Sequence, residues 1–126
     1  MKRRPQTVYT DPMAIHPIQS IARAALRAAQ TAFGTSADNV ANANTPGHEA
    51  RRTVQVESEG GPIATTVATS NPAPLVHGAD GLIAGSSTDL VEETVTQAQA
   101  VAQYKAALEV LETSDEMAED TLDIQA

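Results

Sequence analysis

Two stretches of the chain carry apolar residues at steps of three and four, the spacing that places side chains on one face of an α-helix. The first covers residues 14–44 and the second covers residues 89–126. The pattern predicts a mainly α-helical protein with two long terminal amphipathic helices. The expected apolar stripes are Ile18, Ala22, Ala25, Ala29, Phe33 and Val40 in the first helix, and Leu90, Val91, Val95, Val101, Tyr104, Leu108 and Leu111 in the second.

A helix with one apolar stripe needs a partner to cover it. We therefore expect the two helices to pair through these stripes as a coiled-coil-like hairpin. The second helix has three candidate N-cap residues, Ser87, Thr88 and Asp89. The first should end near Asn42, ahead of a proline and a glycine that fit a type II turn.

Residues 45–88 lose the helical spacing and are expected to form a turn followed by a short β-rich or irregular segment. Apolar and polar residues alternate over 53–56 and, more weakly, over 63–67, as in strands. Glycine and proline clusters mark turns between them. The pattern predicts at most one short hairpin, joined to the second helix by a proline-rich connector. Residues 1–13 are expected to be a flexible N-terminal tail.

The composition favours an elongated helical protein over a compact one. Alanine dominates the apolar residues, and aromatic side chains are limited to one phenylalanine and two tyrosines. Because large side chains supply most of the free energy of burial, a globular core built from this set would be thin. The absence of cysteine excludes disulfides and thiolate catalysis. Residues 1–13 contain no apolar segment typical of a cleaved export signal.

Charge divides the chain into two unlike ends. Residues 1–52 hold seven basic and three acidic side chains, whereas residues 89–126 hold ten acidic side chains and one basic one. Opposite signs favour pairing of the two ends, within one molecule or between neighbours. A formal net charge of −8 argues against nucleic acid as a partner.

No pattern in the sequence indicates chemistry. The three histidines, His16, His48 and His77, are far apart and lack the paired spacing of zinc ligands. Acidic residues recur at helical spacing in the second helix, where a solvated face is more plausible than a carboxylate site. We expect no enzyme activity, no catalytic or metal-binding residues, no cofactor and no small-molecule substrate. The acidic positions are Glu112, Asp115, Glu116, Glu119, Asp120 and Asp123.

Two segments resemble the signatures of one family. The string from Ser36 to Gly47, SADNVANANTPG, resembles the turn after the N-terminal helix of flagellar rod and hook proteins. Residues 89–117 resemble the C-terminal segment of the same family. The signature turn is carried by Asn39, Asn42, Asn44, Thr45, Pro46 and Gly47.

The resemblance implies a structural subunit of the bacterial flagellar basal-body rod, and the short middle resembles the proximal-rod FlgC type. It implies that the terminal helices polymerise into a helical axial tube that transmits torque. Implied partners are other copies, other rod and hook proteins, and the flagellar type III export apparatus. The implied location is the periplasmic rod, reached without a cleaved signal peptide. The alternative is a cytosolic helical-hairpin adaptor or chaperone-like binding protein.

Overall fold

The computed structural model of the protein describes residues 15–69 and 71–125. The expected flexible tail at residues 1–13 lies outside them. Along the chain, one long helix comes before four short strands and a second long helix follows them. The elements are α1 (Ile15–Ala41), β1 (Arg51–Val56), β2 (Ile63–Ala68), β3 (Leu75–Gly78), β4 (Gly81–Ala84) and α2 (Leu90–Gln125). The predicted fold class, two long terminal helices around a β-rich middle, is confirmed in this form.

The helices lie side by side and antiparallel. Near the end of α1, the Ser36 hydroxyl donates a hydrogen bond to the backbone oxygen of Glu93, close to the start of α2. Near the start of α1, the side-chain amide of Gln19 donates to Asp115, far along α2. The chain therefore forms a helical hairpin whose two ends are marked by these contacts.

Small side chains, with Glu93 at one end, line the buried contact between the helices. Buried positions recur every seven residues on both helices, which keeps them on one face. We call this line of residues the seam: Ala22, Ala29 and Ser36 on α1, with Glu93, Ala100, Ala107 and Ser114 on α2. Small residues let two helix backbones approach closely, so the packing depends on many short contacts rather than on a few large side chains.

The predicted pairing of the helices through the two stripes is right for the alanines of α1 and wrong for most of the larger residues. Ala22 and Ala29 are buried, and Ala25, Tyr104 and Leu111 are half-buried, but the other predicted stripe residues are exposed. A spacing of three and four residues shows that side chains share one side of a helix. It does not show which of them lie on the line of closest contact with the other helix and which lie beside it. In this structure the small residues lie on the line of closest contact. The exposed residues are Ile18, Phe33, Val40, Leu90, Val91, Val95, Val101 and Leu108.

The middle forms two hairpins, so the prediction of at most one hairpin with a proline-rich connector is wrong. β1 pairs antiparallel with β2, with Arg51 opposite Ala68 and Val56 opposite Ile63. β3 pairs antiparallel with β4 in a separate two-stranded sheet. The second hairpin escaped prediction because each of its strands is only four residues long. Strands that short give too few alternations to detect.

The β1–β2 turn packs closely on α1. A Cβ atom at Gly61 would lie 2.8 Å from the Cβ of Ala24 and 3.1 Å from the Cα of Ile21. Gly61 also has a φ of 104°, which a residue with a side chain rarely adopts. Only glycine therefore allows the turn to lie against the first half of α1.

No helix in the described ranges is long and apolar enough to cross a membrane.

Candidate functional site

The signature turn ends α1 and reverses the chain. The backbone N–H of His48 donates to the backbone oxygen of Thr45 over 3.2 Å, which closes a four-residue turn. Pro46 and Gly47 are its central residues, and Gly47 has a φ of 74°. Positive φ at the second central position is what a type II turn requires. The predicted turn is therefore present, with its proline and glycine in the expected roles.

Asn39 is fully buried and connects three parts of the fold. Its side-chain amide donates to the backbone oxygen of Arg51 and to Glu93 Oε1, each over 2.6 Å. Its side-chain oxygen accepts the backbone N–H of Arg51 over 2.9 Å. The asparagine thus pairs with β1 much as a neighbouring strand would, and holds the start of α2 at the same time. The three hydrogen bonds of this buried amide fix the relative positions of these elements.

Further hydrogen bonds join the two signature segments around Asn39. The Thr88 hydroxyl donates to the backbone oxygen of Asn39, and the Ser36 hydroxyl donates to Glu93. We call the cluster of Ser36, Asn39, Arg51, Thr88 and Glu93 the junction. It is buried or half-buried apart from the exposed Arg51. The end of α1 and the beginning of α2 are therefore locked together by polar contacts.

The chain segments that lead into and out of the junction are also joined by hydrogen bonds. Ser87 accepts the backbone N–H of Ala50 on its hydroxyl and donates its own N–H to the backbone oxygen of His48. The N–H of Gly47 donates to the backbone oxygen of Ala84 over 2.9 Å. The segment after the signature turn and the segment before α2 therefore run together, which brings the two predicted motifs into contact.

The remaining asparagines of the turn act locally. Asn42 donates its side-chain amide to the backbone oxygen of Asp38 and accepts the Thr45 hydroxyl. Asn44 is exposed. Since Asn42 satisfies backbone and side-chain groups within the turn itself, it stabilises the helix end. Of the three asparagines, Asn39 is the one that reaches across the fold.

The N-cap of α2 is Asp89, which resolves the three candidates. Its carboxyl oxygen Oδ1 accepts the backbone N–H groups of Val91 and Glu92 at 2.9 and 3.2 Å. Its backbone oxygen accepts the N–H of Glu93. Two otherwise unpaired donors of the first turn are thereby satisfied, which stabilises the helix start.

An apolar groove lies along one flank of the helix pair. Phe33 and Gly34 of α1 line it together with Val101, Tyr104 and Lys105 of α2. Its volume is about 350 Å³. The residues of α1 that pack against the β1–β2 turn, among them Ala24, lie on a different face of the helix. The groove is therefore open to solvent on a side that neither hairpin covers.

The described residues do not assemble a catalytic constellation. No three histidine or acidic side chains in residues 15–69 and 71–125 are placed to hold a metal ion. His48 lies in the signature turn, whereas His77 lies on β3. The acidic residues predicted to form a solvated face are exposed on α2.

A family comparison bears on the signature turn directly. Residues 20–48 match the family model described as Flagella basal body rod protein. The resemblance to the flagellar rod family is confirmed. The matched rod segment contains most of α1 and the whole signature turn, including the buried Asn39. The rod family is a structural, non-enzymatic family of the flagellar basal body. No curated protein matches the sequence at a significant level.

The match to the rod family does not extend to α2, so the resemblance of residues 89–117 remains a prediction. The structure nevertheless places the start of that segment against the rod segment, through the contacts of Glu93 and Thr88 with Asn39. Sequence reasoning missed Glu93 and Ser36 as partners of the signature. A signal was available, because an asparagine inside a helix is unfavourable unless its amide is used elsewhere.

Proposed function

We propose that the protein is a structural subunit of the bacterial flagellar basal-body rod that polymerises through its two helices into an axial tube and transmits torque. The observation that carries this proposal is the exposure of large apolar side chains along both helices of a chain with a rod-family segment. Val91 is 75% exposed, Leu122 is 68% exposed and Phe33 is 42% exposed. Burial of such residues between neighbours would supply the free energy of assembly.

The seam explains how this surface stays available. Because small residues fill the contact between α1 and α2, the larger side chains remain on the flanks, where a neighbouring subunit reaches them. If one flank of a subunit binds a different surface of its neighbour, the same contact repeats from subunit to subunit without closing into a ring. An axial polymer requires a contact of this type. The seven-residue recurrence of the seam supports coiled-coil-like packing of each subunit's own helices.

The junction suits a subunit that carries torque. It ties α1, β1 and α2 through the buried amide of Asn39 rather than through apolar contacts that slide. Hydrogen bonds are directional, so a network of them resists relative rotation of the helices more than a smooth apolar contact does. Torque applied to one helix is thereby passed to the other.

The finer assignments belong to the same proposal. The short β middle of residues 51–84 favours the proximal-rod FlgC type over relatives with larger central domains. The partners are further copies, other rod and hook proteins and the type III export apparatus. The location is the periplasmic rod, with export that does not depend on a cleaved signal peptide. The exposed helix residues are the proposed assembly residues, whereas the buried Asn39 of the signature turn holds the subunit's own elements together.

Basal-body fractionation tests the proposal. An epitope tag is placed between Ala79 and Asp80, in the exposed turn that joins β3 to β4. The host is a flagellated bacterium whose own copy of the sequence has been deleted. We expect the tagged chain to restore motility and to co-purify with intact basal bodies. If the chain stays in the cytoplasmic fraction and its deletion leaves motility unchanged, the adaptor alternative is correct instead.

A further inference from the structure

The apolar groove on the helix flank has a glycine where a larger residue would fit. Gly34 lies inside α1, with no atom within 4 Å of the position that a Cβ would occupy. Glycine in a helix interior weakens the helix relative to alanine. No contact within the described chain requires it there. A missing side chain at the groove is useful when the backbone of another molecule approaches closely.

The groove has one basic residue at its edge and aromatic residues inside. Phe33 and Tyr104 line it, and Lys105 is exposed beside them. Lys105 is the single basic residue in residues 89–126. A ligand for this groove should therefore present apolar side chains next to acidic ones, in a segment narrow enough to lie over a glycine.

The C-terminal end of α2 has that chemistry. Leu122 is 68% exposed and Ile124 is 86% exposed, so large apolar side chains stand in solvent there. Glu119, Asp120 and Asp123 lie among them. Acidic groups beside exposed apolar ones match a groove with aromatic walls and a lysine at its edge.

The two surfaces are too far apart to meet within one molecule. Lys105 and Ile124 are 19 residues apart on the same continuous helix, which is roughly 28 Å at a rise of about 1.5 Å per residue. A helix does not fold back onto its own earlier turns. The complementary end must therefore come from a second copy.

We propose that the C-terminal end of α2 from one copy docks in the groove between Phe33 and Lys105 of a second copy. The contact joins two different surfaces, so each copy keeps one groove and one helix end for further neighbours, and the array stays open. This inference rests on the proposed rod function, for which it names one subunit contact. Ile124 fills the groove over Gly34, and Glu119 or Asp123 on the adjoining flank of the helix faces Lys105.

Cysteine crosslinking tests the contact without background, because the chain contains no cysteine. Gly34→Cys and Ile124→Cys are made in separate, differently tagged copies and expressed together in the flagellated host. A cysteine at position 34 has open space and leaves the fold unchanged, which circular dichroism verifies. The matched control is Gly60→Cys with Ile124→Cys, because Gly60 also has open space but lies in the β1–β2 turn.

We expect mild oxidation to link position 34 to position 124 at least tenfold more than position 60 to position 124. Equal yields would overturn the docking. So would a link from position 34 to another rod protein in place of position 124. Mapping of the linked peptides by mass spectrometry decides between these results.

Charge reversal, made in the Gly34→Cys and Ile124→Cys copies, provides a second test of the same contact. Lys105→Glu should lower the crosslink yield several-fold, and combining it with Glu119→Lys and Asp123→Lys in the other copy should restore the yield. Loss without recovery would contradict the proposed facing of charges. A chain found in basal bodies without the crosslink refutes the docking alone, whereas a crosslinked chain absent from basal bodies refutes the rod function alone.

Discussion

The two ends of the helix pair are held in different ways. At one end the junction buries polar groups and joins α1, β1 and α2 through at least three hydrogen bonds of the Asn39 side chain. At the other end, among the described residues, one exposed hydrogen bond between Gln19 and Asp115 spans the helices. The junction end is therefore determined by contacts within the chain, whereas the far end leaves large apolar side chains exposed.

The difference separates the free energy that holds the fold together from the free energy that exposed apolar residues would release on contact with another molecule. Buried hydrogen bonds specify one arrangement, because each unpaired partner is costly. Exposed apolar residues such as Leu122 contribute little until they are covered by another molecule. Under the proposed rod function, the chain fixes one end of its helix pair and leaves the other end for contacts with neighbours.

Loss of the Asn39 side chain should have the largest effect. Asn39→Ala leaves the N–H and C=O of Arg51 and the carboxyl group of Glu93 without their partner. Buried unpaired groups cost about 1–3 kcal/mol each, so we expect the free energy of unfolding to fall by roughly 3 kcal/mol. Urea denaturation of the purified chain measures it.

Asn44→Ala is the matched control for Asn39→Ala, because Asn44 is an exposed asparagine of the same signature. Its free energy of unfolding should stay within about 0.5 kcal/mol of the unaltered chain. If both variants lose equal stability, the junction does not determine this end of the hairpin.

The β1–β2 turn supports the first half of α1, and its loss should have the next largest effect. In Gly61→Ala the new methyl group would meet Ala24 and Ile21, at a backbone φ of 104°. We expect the free energy of unfolding to fall by about 2 kcal/mol, because both the close contact and the backbone conformation become strained. Thermal unfolding provides the measurement.

Gly60→Ala is the control for this change, because the same methyl group meets no atom within 4 Å. Its melting temperature should remain near that of the unaltered chain. A similar loss in both variants would indicate that the turn tolerates no substitution, rather than that it packs against α1.

Much of the fold follows from the sequence, and the failures have physical causes. The two helices and the turn at Pro46 and Gly47 were predictable, because apolar spacing and turn residues act locally. The choice of seam was not, since Phe33 and Val101 have the same spacing as buried residues and differ only in size. Close packing of small residues is a property of the pair of helices, which one helix sequence does not reveal.

The candidate site was likewise predictable in part. The signature turn was recognisable by resemblance, and its local hydrogen bonds follow from asparagine and proline chemistry. The pairing of Asn39 with Glu93 spans more than fifty residues and depends on how the hairpins bring α2 back. Spacing along the chain carries no direct information about such a contact.

Ser114 offers a change that should stabilise the seam near the far end. It is buried, and its hydroxyl has no hydrogen-bond partner in the described structure. Ser114→Ala removes a desolvated polar group and introduces a better helix former, so we expect the free energy of unfolding to rise by about 1 kcal/mol. Thr113→Ala, at an exposed neighbouring position, controls for helix propensity alone. A gain no larger than that of the control would show that the hydroxyl finds a partner in solution.

The bond that spans the far end should matter least. Gln19→Ala removes the 2.6 Å hydrogen bond to Asp115 on the surface of the helix pair. Because water replaces exposed hydrogen bonds readily, we expect the free energy of unfolding to change by less than about 0.5 kcal/mol. Amide hydrogen exchange makes the comparison sharper, since residues 119–124 should exchange early in the variant and in the unaltered chain, while residues 93–107 stay protected in both. Strong protection of residues 119–124 in the free chain would contradict the view that this end of α2 is completed by a neighbour.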